Sequence, residues 1–168
     1  MLTEAIRLTL FPAMMAFAAS SDLLTMTIAN RVSLALIGGF ALLAVLSGLS
    51  GPEMLSHVGA GAAVLAVAFV CFACGWIGGG DAKLAAATAL WLGLGHLFDY
   101  LVYASILGGA LTLLIVQFRT LPLPHVLIGK EWAERLHRQG GGVPYGIALA
   151  AAALLVYPQT EWMTALGL

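Results

Sequence analysis

Six long apolar runs limit what this chain of 168 residues can fold into. A helix that crosses a bilayer needs about 20 consecutive, mostly apolar residues. Apolar residues make up 61% of the chain and charged residues only 9%, whereas soluble domains are about 45–50% apolar. The runs cover residues 3–21, 33–50, 57–77, 82–98, 99–118 and 143–160. We therefore predict an all-α, polytopic membrane protein with six transmembrane helices in a single domain, residues 1–168.

Basic residues are distributed unequally between the two sets of loops. Segments 20–32, 76–83 and 119–142 fall on one side of the predicted membrane and contain six of the seven lysines and arginines. The six are Arg31, Lys83, Arg119, Lys130, Arg135 and Arg138. Because short cytoplasmic loops are enriched in Lys and Arg, we expect these segments to face the cytoplasm and the N-terminus to face outward.

The first apolar run has an alternative interpretation as a cleaved signal peptide. Ala16-Phe17-Ala18 has the small-residue pattern of a cleavage site. Glu4 beside Arg7 removes the positive charge expected before such a segment, and Pro12 interrupts its apolar part. We therefore expect an uncleaved first helix.

The longest loop contains a pattern typical of an amphipathic helix. Ile128, Trp132 and Leu136 recur every four residues, with charged residues between them. This spacing predicts a short helix in the membrane interface before the last span. Such a helix would serve either as a surface connector or as a flap that guides a substrate.

Two aspartates at the edges of apolar runs are the strongest candidates for chemistry. Asp22 follows Ser20-Ser21, and Asp81 follows Gly78-Gly79-Gly80. An aspartate costs roughly 2.5–3.5 kcal/mol at the centre of a membrane helix, so one kept in or beside a span is a candidate functional residue. On the charge count, both face the cytoplasm and could share a proton. One acid would then activate water while the other polarises a peptide carbonyl.

Each aspartate also has a structural interpretation. An acid at the start of a helix interacts favourably with the free backbone N–H groups and with the helix dipole. Taken singly, Asp81 is explained by this capping and Asp22 by its place among ordinary helix-boundary residues, and only the pair favours catalysis. Glycines 78 and 80 would shape a cavity beside Asp81, because residues without Cβ allow close approach. Lys83 can extend its ammonium group to the membrane surface.

Other site types are not supported. Cys71 and Cys74 lack the second pair that a zinc ribbon needs, and the four histidines show no ligand spacing, so we predict no metal site. Basic residues are too few and too scattered for nucleic-acid binding. There is no Gly-x-Ser-x-Gly nucleophile motif and no phosphate-binding loop.

Three short motifs resemble the type IV prepilin peptidase family, a group of aspartic membrane proteases with a GxGD motif. They are Asp22 followed by Ile28-Ala29-Asn30, Gly78-Gly-Gly80-Asp81-Ala-Lys83-Leu84, and Val143-Pro144-Tyr145-Gly146. The resemblance implies that Asp22 and Asp81 are the catalytic pair. It also implies that Gly78, Gly80, Lys83, Asn30, Pro144 and Tyr145 shape the site or bind substrate.

The resemblance further implies a substrate and a location. The substrates would be pilin precursors, from which a short basic leader is cut after a glycine, at the cytoplasmic face of the bacterial inner membrane. The compact layout is similar to the members that serve tight-adherence (Flp) pili. Ala29 stands where the family usually has proline. The cysteine-rich cytoplasmic domain of larger members has no counterpart between the first two runs, so we expect no zinc, no methyltransferase activity and no other cofactor.

A second class of function stays open at this point. The acids could relay protons in a small transporter or pair with a basic residue of a partner in a pilus or secretion assembly. We find no match between residues 1–84 and 85–168 of the kind expected for the inverted repeats of transporters. The sequence does not indicate an oligomeric state.

Overall fold

Four long apolar helices make up most of the molecule. The computed structural model describes residues 2–164, with side chains from residue 3, and is 83% helical without strands in that range. The long helices are α1 (Leu2–Thr25), α2 (Asn30–Ser47), α3 (Gly51–Ala73) and α4 (Gly79–Thr120). After a 3-10 turn at His125–Leu127 come α5 (Glu131–His137), α6 (Tyr145–Val156), a 3-10 turn at Tyr157–Gln159 and α7 (Glu161–Thr164).

The all-helical prediction is confirmed, but the prediction of six spans is not. Four of the described helices are long and apolar enough to cross a membrane. The last apolar run forms α6, which has 12 residues and ends at Val156. Pro158, which has no backbone N–H, follows in a 3-10 turn. This explains why the run does not continue as one long helix.

The fourth and fifth runs lie in one helix, α4, which is broken at Gly93 and not at the predicted turn near residues 95–99. Gly93 has φ 69° and ψ 175°, while the residues around it are helical. The hydroxyl of Tyr100 lies next to Thr88, although the two would be about 18 Å apart along a straight helix. Leu97 likewise packs against the cluster formed by Ala60, Val64, Ala86 and Ala89. The chain therefore reverses its direction at Gly93.

Replacing Gly93 by alanine should destabilise the fold. Its backbone angles are essentially restricted to glycine and cost of order 1–3 kcal/mol for other residues. A Cβ there would also lie 3.2 Å from the His57 ring. We expect about that loss in the free energy of unfolding, measured by denaturant titration in detergent micelles. Gly95→Ala is the control, because a Cβ at Gly95 meets nothing within 4 Å. Equal stability of the two variants would contradict the assignment of the break.

The break is held by an aromatic cluster at one end of the bundle, which we call the far end. Phe11, Phe40, Trp91, Tyr157 and Trp162 pack with ring centroids 4.4–6.3 Å apart. The Trp91 indole N–H donates to the carbonyl of Leu36 at 2.9 Å, and that of Trp162 donates to the carbonyl of Trp91 at 2.7 Å. These bonds satisfy the buried polar atoms of both indoles and fix α2, α4 and α7 relative to one another.

The predicted short helix before the last run is present as α5. Its buried residues are Ala133 and Leu136, whereas Ile128 lies outside the helix and is exposed. Arg119 donates to the carbonyls of Leu136 at 2.8 Å and Gly142 at 2.7 Å. Arg135 donates to the carbonyl of Leu24 at 2.7 Å. These bonds fasten α5 to the ends of α1 and α4, as expected for a fixed connector. Its position at a membrane interface stays a prediction.

Candidate active site

Asp22 lies in the last turns of α1 and is buried, with 5% of its surface exposed. Its Oδ2 accepts a hydrogen bond of 2.7 Å from the backbone N–H of Gly146, in the first turn of α6. α1 ends three residues later, where Met26 adopts φ 56°. The Ser21 hydroxyl donates to the carbonyl of Thr27 at 2.9 Å and stabilises the turn that follows. Asp22 is thus held by a hydrogen bond from a residue 124 positions away in the sequence.

Asp81 lies in the first turn of α4, directly after the glycine-rich break. Gly78 has an extended backbone (φ −72°, ψ 146°) and is the N-cap residue. The Asp81 carboxylate turns back toward it: Oδ2 is 2.9 Å from the position of a Gly78 Cβ, and the backbone amide of Gly78 lies close to the carboxylate. An acid in the first turn interacts favourably with the dipole at the start of a helix. Asp81 therefore stabilises the start of α4 whatever else it does.

The two acids lie near each other. Asp81 is close enough to Asp22 to interact with it electrostatically. Ile28, from the loop between α1 and α2, contacts a neighbour of each acid. It lies 3.2 Å from the Cβ position of Gly80 and 2.7 Å from that of Gly146. The carboxylates, Ile28 and the two glycines form what we call the acid site, and the end of the bundle that holds it is the acid end.

The glycines at the acid site are required by close packing. A Cβ on Gly146 would lie 2.7 Å from Asp22 Oδ2 and 2.7 Å from the Ile28 side chain. On Gly80 it would lie 3.2 Å from Ile28 Cβ. Real Cβ atoms tolerate neither approach without displacing a neighbour. The absence of side chains at these two positions is what lets the acid, the amide and Ile28 come together.

Lys83 and Asn30 lie beside the acid site. Lys83 Nζ donates to Asn30 Oδ1 at 2.9 Å. Positions 81 and 83 are about 200° apart around a helix axis, so Lys83 points away from Asp81. Both Lys83 and Asn30 line a cavity of about 490 Å³ on that other face of α4.

Pro144 and Tyr145 act at the start of α6. Pro144 is its buried N-cap residue. The Tyr145 hydroxyl is 2.9 Å from that of Thr112, and its ring lies 3.1 Å from the Cβ position of Gly108. Tyr145 therefore contacts the second half of α4 and not the acids. Both residues directly precede Gly146, whose amide bonds Asp22.

Two members of the acid site, Gly146 and Ile28, and one neighbour, Tyr100, were not among the predicted site residues. Gly146 and Ile28 occur in the motifs, but neither an amide donor nor an aliphatic contact has a sequence signal. Tyr100 is completely buried, and its hydroxyl lies near Thr88 and Asp81 without well-formed hydrogen-bond geometry. Only the reversal at Gly93 brings it there.

Residues 2–164 contain no group of three or more His, Cys, Asp or Glu side chains arranged to hold a metal ion. Cys71 is half-buried and Cys74 is exposed, both as free thiols. Asp99 is exposed on the segment that follows the break at Gly93. The acid site is thus a pair of carboxylates with a backbone amide donor, an arrangement that can exchange protons with water and with a bound amide.

Comparison with known families gave one finding. A sequence model of the type IV leader peptidase family matches residues 9–113. The matched stretch includes Asp22, Ile28, Gly80 and Asp81, and it ends before Gly146. No curated protein and no solved structure matches significantly.

Proposed function

The chain belongs to the type IV leader peptidase family, and we propose that it is an aspartic endopeptidase that removes the leader from prepilin-like precursors. Membership implies a protease. Together with several long apolar helices, it indicates a membrane protein. The observation that carries the aspartic mechanism is the proximity of Asp22 and Asp81 at one end of the bundle, where Ile28 contacts both Gly80, next to Asp81, and Gly146, which is bonded to Asp22.

In the proposed reaction, the two carboxyl groups share one proton. The ionised member removes a proton from a water molecule, whose oxygen attacks the carbonyl carbon of the scissile peptide bond. The protonated member donates its hydrogen to the carbonyl oxygen as negative charge develops there. Collapse of the tetrahedral intermediate breaks the C–N bond, and a carboxyl group delivers the proton to the departing amine. No cofactor takes part.

The surroundings support this role in two ways. The 2.7 Å hydrogen bond from Gly146 fixes one carboxylate oxygen of Asp22, which leaves its second oxygen for water. Ile28 covers the site between Gly80 and Gly146 with apolar surface, and excluding bulk water strengthens electrostatic interactions inside a site. The substrate must be extended at the scissile bond, because a helical peptide bond is shielded by its own turn.

The substrate and location are also part of the proposal. By family resemblance, the precursor carries a short basic leader that ends in glycine and is followed by an apolar helix. We propose that the acid end faces the cytoplasm of a bacterial inner membrane, as the distribution of Lys and Arg predicts. A compact chain of this kind would serve Flp-type pili.

The experiment is to incubate the purified protein with a synthetic precursor that has a basic leader, a glycine and a 20-residue apolar helix. Mass spectrometry should then detect two products, separated at a single bond after the glycine. An intact precursor, with the protein monodisperse and helical by circular dichroism, would instead favour a transporter or a non-catalytic subunit.

A further inference from the structure

A groove open to the side of the bundle lies between α2 and α3. Both helices pack on α4 and make few contacts with each other, so the first half of α4 forms the floor between them. The groove encloses about 490 Å³. Leu34 and Ile37 line one wall and Val58 and Leu65 the other, and all four side chains are exposed.

Small residues make the groove accessible to another backbone. Ala86 and Ala87 form its floor, and Gly61 and Ala62 lie in the α3 wall. Helices in membranes approach one another closely where such residues line the contact. A floor of small residues therefore suits a bound helix, whose backbone can approach it closely.

One end of the groove is polar and lies at the acid end of the bundle, on the face of α4 opposite Asp81. Asn30, Ser33 and Lys83 line it, and Lys83 is bonded to Asn30 at 2.9 Å. Asn30 is two residues from Ile28, which contacts Gly80, and Lys83 is two residues from Asp81. From Lys83 to Leu90 the floor extends about 10 Å toward the far end. A helix in the groove would therefore begin at the level of the acid site along the bundle, with the first turn of α4 between it and Asp81.

We propose that this groove binds the apolar helix of the precursor, with the start of that helix at the polar end. The inference rests on the proposed function, because it takes the substrate to be a leader followed by an apolar helix. The Lys83 ammonium has three N–H donors and uses one on Asn30. It accommodates oxygen acceptors and repels cations, so the basic leader must lie beyond the groove, around the first turn of α4 on the side of Asp81. The repulsion between Lys83 and the basic leader thus determines which bond of the precursor lies at the acid site.

The first test fills the groove and compares two substrates. Ala62 and Ala63 are adjacent exposed alanines on α3, and only Ala62 lines the groove. Ala62→Trp should raise KM for the full precursor at least tenfold, with kcat within twofold. It should leave kcat/KM unchanged for a short peptide that spans the scissile bond but lacks the apolar helix. Ala63→Trp should change neither. Cleavage of the full precursor by Ala62→Trp with the wild-type KM would overturn the proposal.

The second test covers the case in which Ala62→Trp loses activity on both substrates. A photoreactive amino acid replaces Leu65, which lines the groove, or Val67, which is exposed and outside it. Each replacement is made separately in the Asp81→Asn protein, so that the precursor is bound but not cleaved. Crosslinks to the precursor's apolar helix should form from position 65 and not from 67. Crosslinks from 65 only to lipid or to a second copy of the chain would refute docking. Failure of the wild type to cleave any precursor would instead refute the proposed function.

Discussion

Replacing Asp22 or Asp81 by asparagine is expected to lower kcat/KM for precursor cleavage by at least about a thousandfold, within the range that positioned acids and bases contribute. Asparagine keeps the shape of each side chain but can neither share a proton nor take one from water. The measurement is the initial rate of product formation by mass spectrometry, with purified protein in micelles.

The double variant tests whether the two acids act as one catalytic unit. Residues that act as one catalytic unit have non-additive effects, so Asp22→Asn combined with Asp81→Asn should be about as slow as either single variant. Asp99→Asn is the matched control, because Asp99 is an exposed acid that the acid site does not include, and it should keep wild-type activity. Multiplicative losses in the double variant would show that the two acids act independently.

Replacing Gly146 by alanine should have the second largest effect, a loss of about a hundredfold or more in kcat/KM. The added Cβ would lie 2.7 Å from Asp22 Oδ2 and 2.7 Å from Ile28. Either the carboxylate or Ile28 must therefore move, and small displacements at a reacting centre can cost about a hundredfold. The same rate assay measures the loss.

Gly142→Ala is the control for this variant, since a Cβ at Gly142 meets nothing within 4 Å. It lies in the same connection before α6 and should be active. Circular dichroism and monodispersity should be unchanged in both proteins. A fully active Gly146→Ala protein would mean that the amide contact to Asp22 has no role in the reaction.

Hydropathy predicted the apolar segments well because burial in lipid depends on composition. It did not locate the break in α4. Residues 93–99 contain no proline, and only the backbone angles of Gly93 mark the reversal. The last run was predicted too long, since mean hydropathy does not weigh the lost N–H of Pro158.

The proximity of Asp22 and Asp81 was foreseeable, because the distribution of Lys and Arg put both acids on one side of the membrane and the family resemblance implied that they form a pair. The parts of the site made by tertiary packing were not. The Gly146 amide reaches Asp22 across 124 positions of sequence, and Ile28 is placed by contact with two glycines. A backbone N–H donor is present at every residue except proline, so residue type does not indicate which backbone amide will bond a catalytic acid.

Chemical crosslinking between positions 22 and 81 tests most directly whether the acids share one site. Asp22→Cys and Asp81→Cys are combined in a protein whose Cys71 and Cys74 are replaced by serine, with a protease site inserted in the turn between α2 and α3. A short bifunctional thiol reagent should hold the two fragments together after cleavage, and a 22/99 pair should not. Fragments that separate for the 22/81 pair, with both thiols reactive to a single-headed reagent, would contradict a common site.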